Sequence, residues 1–152
     1  MSRRVMREIP QSHVDILEAR CFGHVATLRP DGRISNHPVC LIWDGEHVRF
    51  STTKSRKKFR NLRADPRIAI SVTDPENVWR YLEIRGTATL SDDADRSFID
   101  RIAQKYMGQD HYPFDRPGDE RVTVTVHVDQ VSVAHVHAHT GEGRPPAEWT
   151  RS

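Results

Sequence analysis

The sequence predicts a mainly β fold: a small antiparallel barrel of about six strands with two or three short helices packed outside it. Two observations predict this fold class. Asp-Gly pairs at 31–32 and 44–45 separate runs that are rich in β-branched and aromatic residues, which is a strong hairpin signal because glycine reaches positive φ without strain. Apolar and polar residues also alternate along several later segments, as in strands with one buried face.

The first half of the chain has the pattern of a β-meander. The sequence predicts three strands joined by the two tight turns, over residues 24–29, 33–43 and 46–51. A fourth strand is predicted after Pro66, where Ile68, Ile70 and Val72 alternate with polar or small residues.

The segment 79–90 predicts a half-buried strand. One face of this strand would carry Leu82, Ile84, Ala88 and Leu90. The other face would carry Trp79, Tyr81, Glu83, Arg85 and Thr87. The second face is unusual for its mixture of aromatic and charged residues, which we expect to meet a partner subunit.

The last predicted strand starts at Arg121 and changes its alternation midway. Four valines share one parity, namely Val122, Val124, Val126 and Val128. Val131 and Val133 take the other parity. A single extra residue reverses the faces of a strand, so the sequence predicts a bulge at Asp129–Gln130.

Three helices are predicted. The first covers residues 9–21 with Ser12 as its cap, and the second runs from Lys54 to Arg63 before Pro66 ends it. The third, over residues 92–108, has acids in its first turn and one apolar stripe. The stripe consists of Phe98, Ile99, Ile102, Ala103 and Tyr106.

Length and composition predict one domain over residues 1–152, with an irregular tail at about 139–152. The sequence has no apolar run of about 18 residues and no charged-then-apolar leader, so we expect no membrane span or signal peptide, and a cytoplasmic protein. Cys21 and Cys40 form no CxxC pair, and we expect both to be buried free thiols.

Positive charge is concentrated in residues 51–67, which carry seven basic residues and a single acid, Asp65. A protein that coats a polyanion usually spreads its basic charge over a face, so a local field suits a small anion better. Hydroxyl groups, the amides of a helix start and a fork of Arg and Lys would suit a phosphate monoester. Spacing alone leaves open a solvated basic helix and a nucleic-acid patch.

Three motifs extend this interpretation: KFRNLRADPR at 58–67, EIRG at 83–86 and KYMGQDHYPFD at 105–115. With them, residues 15–137 resemble the deazaflavin-dependent enzymes of the pyridoxamine 5'-phosphate oxidase-like class, a branch of the flavin and deazaflavin oxidoreductases. The resemblance implies a split β-barrel fold and a homodimer. It also implies that coenzyme F420, or FMN in sister branches, binds at the subunit interface.

The resemblance implies site residues one by one. Ser51, Arg56 and Lys58 would hold the phosphate side of the coenzyme, and Asn61, on the following turn, would help to order the loop that carries them. Asn36 would face the isoalloxazine-like ring, although a turn-satisfying amide is the structural alternative.

Trp79 and Tyr81 match the aromatics that flank the ring, either from the same chain or from the partner subunit. Trp79 could also simply cover the barrel end.

The activity that the resemblance implies is transfer of a hydride from the reduced coenzyme to an unsaturated or carbonyl small molecule, with no essential catalytic residue identified. The sequence has no defensible Ser-His-Asp order and no paired carboxylates in a plausible cleft, which disfavours a hydrolase. A non-catalytic coenzyme-binding module and an FMN-dependent, oxidase-like flavoprotein remain alternatives. His135, His137 and His139 alternate, and we expect them at the barrel rim or dimer contact, with no metal.

Overall fold

The computed structural model describes residues 3–134, with side chains from residue 6 onward. His135, His137 and His139 therefore lie outside the described residues. The described part contains eight strands and three α-helices. In chain order they are β1 (Arg3–Met6), α1 (Val14–Glu18), β2 (Phe22–Leu28), β3 (Ile34–Cys40), β4 (Ile42–Trp43), β5 (Val48–Thr53), α2 (Lys57–Ala64), β6 (Arg67–Asp74), β7 (Asn77–Asp92), α3 (Ser97–Met107) and β8 (Arg121–Ala134).

All eight strands belong to one antiparallel sheet with the order β3-β2-β6-β7-β8-β5-β4, and β1 pairs with β8. The two ends of this path, β3 and β4, are consecutive in the chain and separated only by Leu41. The sheet therefore curls until its ends meet, which confirms the predicted split-barrel fold. The strand count was wrong because the four-residue β1 was missed and the predicted strand 33–43 divides at Leu41.

The inner face of the sheet forms the core, as the alternation predicted. Leu82 and Ile84 of β7 are fully buried, as are Val124 and Val131 of β8. Arg85 lies opposite Gln130 and Gly86 lies opposite Val128, so Asp129 is the extra residue of a β-bulge. The predicted bulge is confirmed, and it keeps valines on the core face on both sides of the irregularity.

The helices differ from the prediction mainly at their starts. Helix α2 begins at Lys57, three positions after the predicted start, because Thr53 to Arg56 form a turn in which the Arg56 amide donates to the Thr53 carbonyl. Helix α3 buries the predicted apolar stripe, with Phe98 and Ile99 buried at its first turn. The Asp93 carboxylate, which precedes the helix, accepts hydrogen bonds from the amides of both residues.

The first predicted helix is shorter than expected and is not capped by Ser12. A 3-10 turn over Gln11–His13 precedes α1, and the Ser12 hydroxyl instead contacts His13 Nδ1 at 2.7 Å. The Ser12 carbonyl accepts a hydrogen bond from Arg80 Nη2 at 2.7 Å. The contact from Arg80 holds this segment against β7, but no side chain caps α1.

Both cysteines are free, but only Cys21 is buried, whereas Cys40 is half-buried. Within residues 3–134, no helix is long and apolar enough to cross a membrane.

Candidate functional site

A cavity of about 200 Å³ opens at one end of the barrel, between β3, β5, β8 and the helices α2 and α3. Its polar side is formed by Ser51, Thr52, Arg56, Lys58 and Arg121. Its apolar side includes Pro38, Val39, Ile99, Ile102 and Met107. We call this space the cationic cavity.

Lys58 is the most informative residue of the cationic cavity. Only 8% of it is exposed, and no carboxylate within residues 6–134 lies within salt-bridge distance of its ammonium group. Burial, and then the neighbouring charges of Arg56 and Arg121, lower the pKa of Lys58 below its ordinary value. A buried cation without a counter-ion is costly, so this arrangement favours an anionic ligand.

The start of α2 also favours an anionic ligand. Arg56 occupies the N-cap position, no side chain caps the helix, and its first turn contains no acid. The free amides of a helix start carry partial positive charge, which cations such as Lys57 and Lys58 oppose and an anion would stabilise. An anion in the cationic cavity would therefore satisfy both the helix start and Lys58.

Two hydroxyl groups add hydrogen-bonding capacity. Thr52 Oγ1 is buried and has no hydrogen-bond partner in the part of the chain that the structure describes. Ser51 Oγ accepts a hydrogen bond from Arg121 Nη1 at 3.3 Å and retains its own proton to donate. A buried hydroxyl without a partner indicates a missing hydrogen-bonding group, and a phosphate oxygen would supply one.

Arg121 is held rigidly at the back of the cationic cavity. Its Nε and Nη2 donate to Asp115 at 2.9 and 2.6 Å, and its guanidinium lies 4.8 Å from the centre of the Tyr112 ring. Asp115 also accepts a hydrogen bond from Arg96 at 2.6 Å. Hydrogen bonds from Arg121, followed by those from Arg96, lower the pKa of Asp115 to about 2.

Asn61 lies beneath the cationic cavity and does not line it. Its side chain is buried, and Nδ2 donates to Thr27 Oγ1 at 3.0 Å and approaches Ser35 Oγ at 3.5 Å. These contacts tie α2 to β2 and β3, so the structure gives Asn61 a place suited to ordering the helix that carries Lys58.

Asn36 lies on the exposed outer face of β3, between two concave surfaces. Pro38 contributes to the cationic cavity, whereas Ile34 contributes to an apolar groove of about 440 Å³. We call this space the outer groove; it is also lined by Ala26, Leu28, Ala69, Arg85 and Thr87. Ile34 and Pro38 are four residues apart on one strand face, a separation of about 13 Å.

Trp79 and Tyr81 lie far from Asn36 within one chain. Both are half-buried on β7, and Tyr81 pairs with Thr73 of β6. Three strand spacings and four residue steps separate Tyr81 from Asn36, or about 20 Å across a flattened sheet. At this separation, a single chain would place these aromatics too far from Asn36 for one ligand ring to contact both.

Comparison with known families settles the classification of this fold. A family model described as pyridoxamine 5'-phosphate oxidase matches residues 9–135. The chain belongs to the pyridoxamine 5'-phosphate oxidase family.

Solved structures of similar proteins share this fold. An F420 reductase shares 36% sequence identity and superposes with a TM-score of 0.72, over 81% of this chain and 98% of the reductase. A putative pyridoxamine 5'-phosphate oxidase from Listeria innocua shares 20% identity, with a TM-score of 0.63 over 80% of this chain and 94% of that protein. An FMN-binding, pyridoxamine 5'-phosphate oxidase-related protein from Nostoc punctiforme shares 17% identity, with a TM-score of 0.56 over 83% and 84%.

In this member of the family, the residues expected at the phosphate side divide into two groups. Ser51, Arg56 and Lys58 line one cavity, whereas Asn61 lies below it. Sequence reasoning missed Arg121, because pairing of β5 with β8 brings it beside Thr53 from the far end of the chain. The available signal was Asp115, the last residue of the motif at 105–115, with Arg121 six residues after it.

The residues present fit the phosphate end of a flavin or deazaflavin coenzyme. Lys58 lacks a counter-ion and Thr52 lacks a hydrogen-bond partner within the described residues, and a phosphate group would satisfy both. The solved structures that share this fold include an F420 reductase and a protein described as FMN-binding.

Proposed function

We propose that the protein is a coenzyme F420-dependent oxidoreductase that reduces an unsaturated or carbonyl-containing small molecule. The observation that carries this proposal is the buried, uncompensated Lys58 at the uncapped start of α2. The 36% identity with an F420 reductase favours the deazaflavin over FMN.

The chain's own residues would bind and orient the coenzyme. Lys58, Arg56 and Ser51 would hold its phosphate in the cationic cavity through charge-assisted hydrogen bonds. Asn36 would lie along the path from that cavity to the outer groove, whose apolar surface suits a planar ring. When bound, the reduced coenzyme supplies the hydride, while the protein supplies position and exclusion of water.

A homodimer follows from the outer face of β2, β3, β6 and β7. This face exposes Phe22 by 59% and Ile34 by 68%, and the outer groove is lined by Ile34 and Arg85 but not by Phe22. A second subunit would cover these apolar groups and close the groove around the ring. It could also supply Trp79 and Tyr81, which one chain keeps distant from Asn36.

A binding titration with coenzyme F420 and FMN tests the proposal. Wild-type protein should bind coenzyme F420 more tightly than FMN, and Lys58→Met should weaken binding by about 10- to 150-fold, the range for one charge-assisted hydrogen bond. Lys57→Met is the matched control, because Lys57 is an exposed neighbour of identical charge. Raising the salt concentration should weaken binding only modestly, since directed bonds at a buried site resist screening.

Each alternative has a distinct outcome. Binding of coenzyme F420 without turnover on a panel of electron-poor alkenes and carbonyls would indicate a non-catalytic coenzyme-binding module. A yellow protein that retains FMN through purification would indicate an FMN-dependent flavoprotein. Tight duplex DNA binding with a steep salt dependence, and no affinity for either coenzyme, would make residues 51–67 a nucleic-acid patch.

A further inference from the structure

Arg121 is an unusual cation for an anion site, because it is already paired with Asp115, a carboxylate that it shares with Arg96. Its side chain is only 9% exposed, and Asp115 accepts two of its hydrogen bonds while Ser51 accepts a third. A guanidinium has five N–H donors, and the Tyr112 side chain is a further hydrogen-bond partner of Arg121, so at least one donor remains for a ligand. Arg121 therefore offers directed donors more than it adds net positive charge.

The orientation of those donors depends on Asp115. The bidentate contact between the planar carboxylate and the planar guanidinium fixes the plane of Arg121, and the Tyr112 ring at 4.8 Å supports one face. Arg96 contacts the same carboxylate from the start of α3. The low pKa of Asp115, about 2, means that the carboxylate stays ionised throughout the physiological range.

We propose that Arg121 contacts the ligand's phosphate and that Asp115 is the positioning residue that aims it, so an acidic side chain strengthens anion binding at this site. This inference rests on the proposed coenzyme site. It extends that site to β8 and to the loop between α3 and β8.

Simple electrostatics gives the opposite expectation. Removing a negative charge from beside an anion site should tighten anion binding, because like charges repel. If positioning dominates, the same change should weaken binding, because Arg121 loses its fixed orientation and must be ordered by the ligand. Whether Asp115→Asn tightens or weakens anion binding therefore distinguishes charge repulsion from positioning.

A structural role for Asp115 must also be separated from positioning. Loss of loop order would weaken every ligand of the cavity, whether or not it carries phosphate. Misdirection of Arg121 would weaken only phosphorylated ligands. Coenzyme F420 and FMN should therefore be compared with their dephosphorylated deazaflavin and riboflavin counterparts, and with inorganic pyrophosphate.

The experiment measures these affinities for wild type, Asp115→Asn and Arg121→Lys. Both variants should weaken the phosphorylated ligands by about tenfold or more, as for a lost charge-assisted hydrogen bond, and leave the dephosphorylated ligands unchanged. Asp110→Asn is the matched control, since Asp110 is an exposed acid of the same loop that does not line the cationic cavity. Arg121→Lys keeps the positive charge but loses the planar set of donors. If Asp115→Asn does not fold, this variant tests whether directed donors of Arg121 contact the phosphate.

The outcomes distinguish this inference from the proposed function. Tighter binding by Asp115→Asn, or equal weakening of phosphorylated and dephosphorylated ligands, would overturn the positioning role while leaving the coenzyme site intact. Pyrophosphate binding that depends on Asp115, with no affinity for either coenzyme, would support the positioning role and overturn the proposed function. Wild-type protein that binds none of these anions would overturn both.

Discussion

The side-chain amide of Asn61 donates to Oγ1 of Thr27 across 3.0 Å in the protein interior, joining α2 to β2 beneath the cationic cavity. Both side chains are 2% exposed. Lys58 lies one helical turn before Asn61, so this buried bond helps to fix the helix that presents the ammonium group.

Replacing Asn61 with Ala should destabilise the fold by about 1 to 3 kcal/mol, because the Thr27 hydroxyl loses a buried partner. Chemical denaturation measures the free energy of unfolding, and coenzyme titration at low denaturant measures binding. An unchanged unfolding free energy together with lost binding would mean that Asn61 contacts the coenzyme directly.

Lys58→Met should stabilise the free protein, by about 1 kcal/mol, because it removes a buried charge that has no counter-ion among the described residues. The same variant should lose most of the increase in Tm that coenzyme F420 produces in wild type. Thermal unfolding with and without coenzyme measures both effects, with Lys57→Met as control. A less stable free Lys58→Met protein would show that Lys58 serves the fold.

The lowered pKa of Lys58 predicts a pH dependence with a definite sign. The folded protein releases the Lys58 proton at lower pH than the unfolded chain does, so its contribution to stability rises with pH between the lowered pKa and the ordinary value of about 10.4.

Anion affinity should fall as pH rises through this window, because the phosphate needs the protonated ammonium group. Between pH 7 and 10, the free energy of unfolding should rise with pH and the anion affinity should fall. Both dependences should be weaker in Lys58→Met. Identical slopes in wild type and variant would assign the dependence to other groups.

Ile34→Glu should dissociate the proposed homodimer, because it places a charge on the apolar outer face next to the outer groove. Sedimentation velocity should find a wild-type dimer at low micromolar concentration and a variant monomer of about the 17.5 kDa chain mass. Phe114→Glu is a matched control, since Phe114 is also 68% exposed but lies outside the sheet. A wild-type protein that is monomeric at this concentration would contradict the proposed coenzyme site shared between two subunits.

Gly86→Ala should destabilise the protein by about 1 to 3 kcal/mol or more. A Cβ atom at this position would overlap the His127 carbonyl oxygen on the paired strand, and neither backbone can move without disturbing the bulge at Asp129. Denaturant unfolding should show the loss, whereas Ser91→Ala, at an exposed position of the same strand, should stay within about 0.5 kcal/mol of wild type. Equal stability of both variants would show that the bulge adapts.

The sequence predicted best where local periodicity and burial agree. The alternation along β7, the bulge of β8 and the apolar stripe of α3 were all readable, because each face of a strand or helix repeats at a fixed interval. Helix starts were less readable, because they depend on individual hydrogen bonds that periodicity does not show. The amides of Phe98 and Ile99 donate to Asp93, and the Ser12 carbonyl accepts from Arg80.

By itself the sequence determined the barrel, its core faces and a concentration of positive charge within residues 51–67. The tertiary structure decided which of those charges remain available. Lys54 forms ion pairs with Asp92 and Glu120, and Arg67 pairs with Asp65, whereas Lys58 is buried without an acid among the described residues. Only strand pairing between β5 and β8 could add Arg121, because charge compensation depends on distance in space and not on distance along the chain.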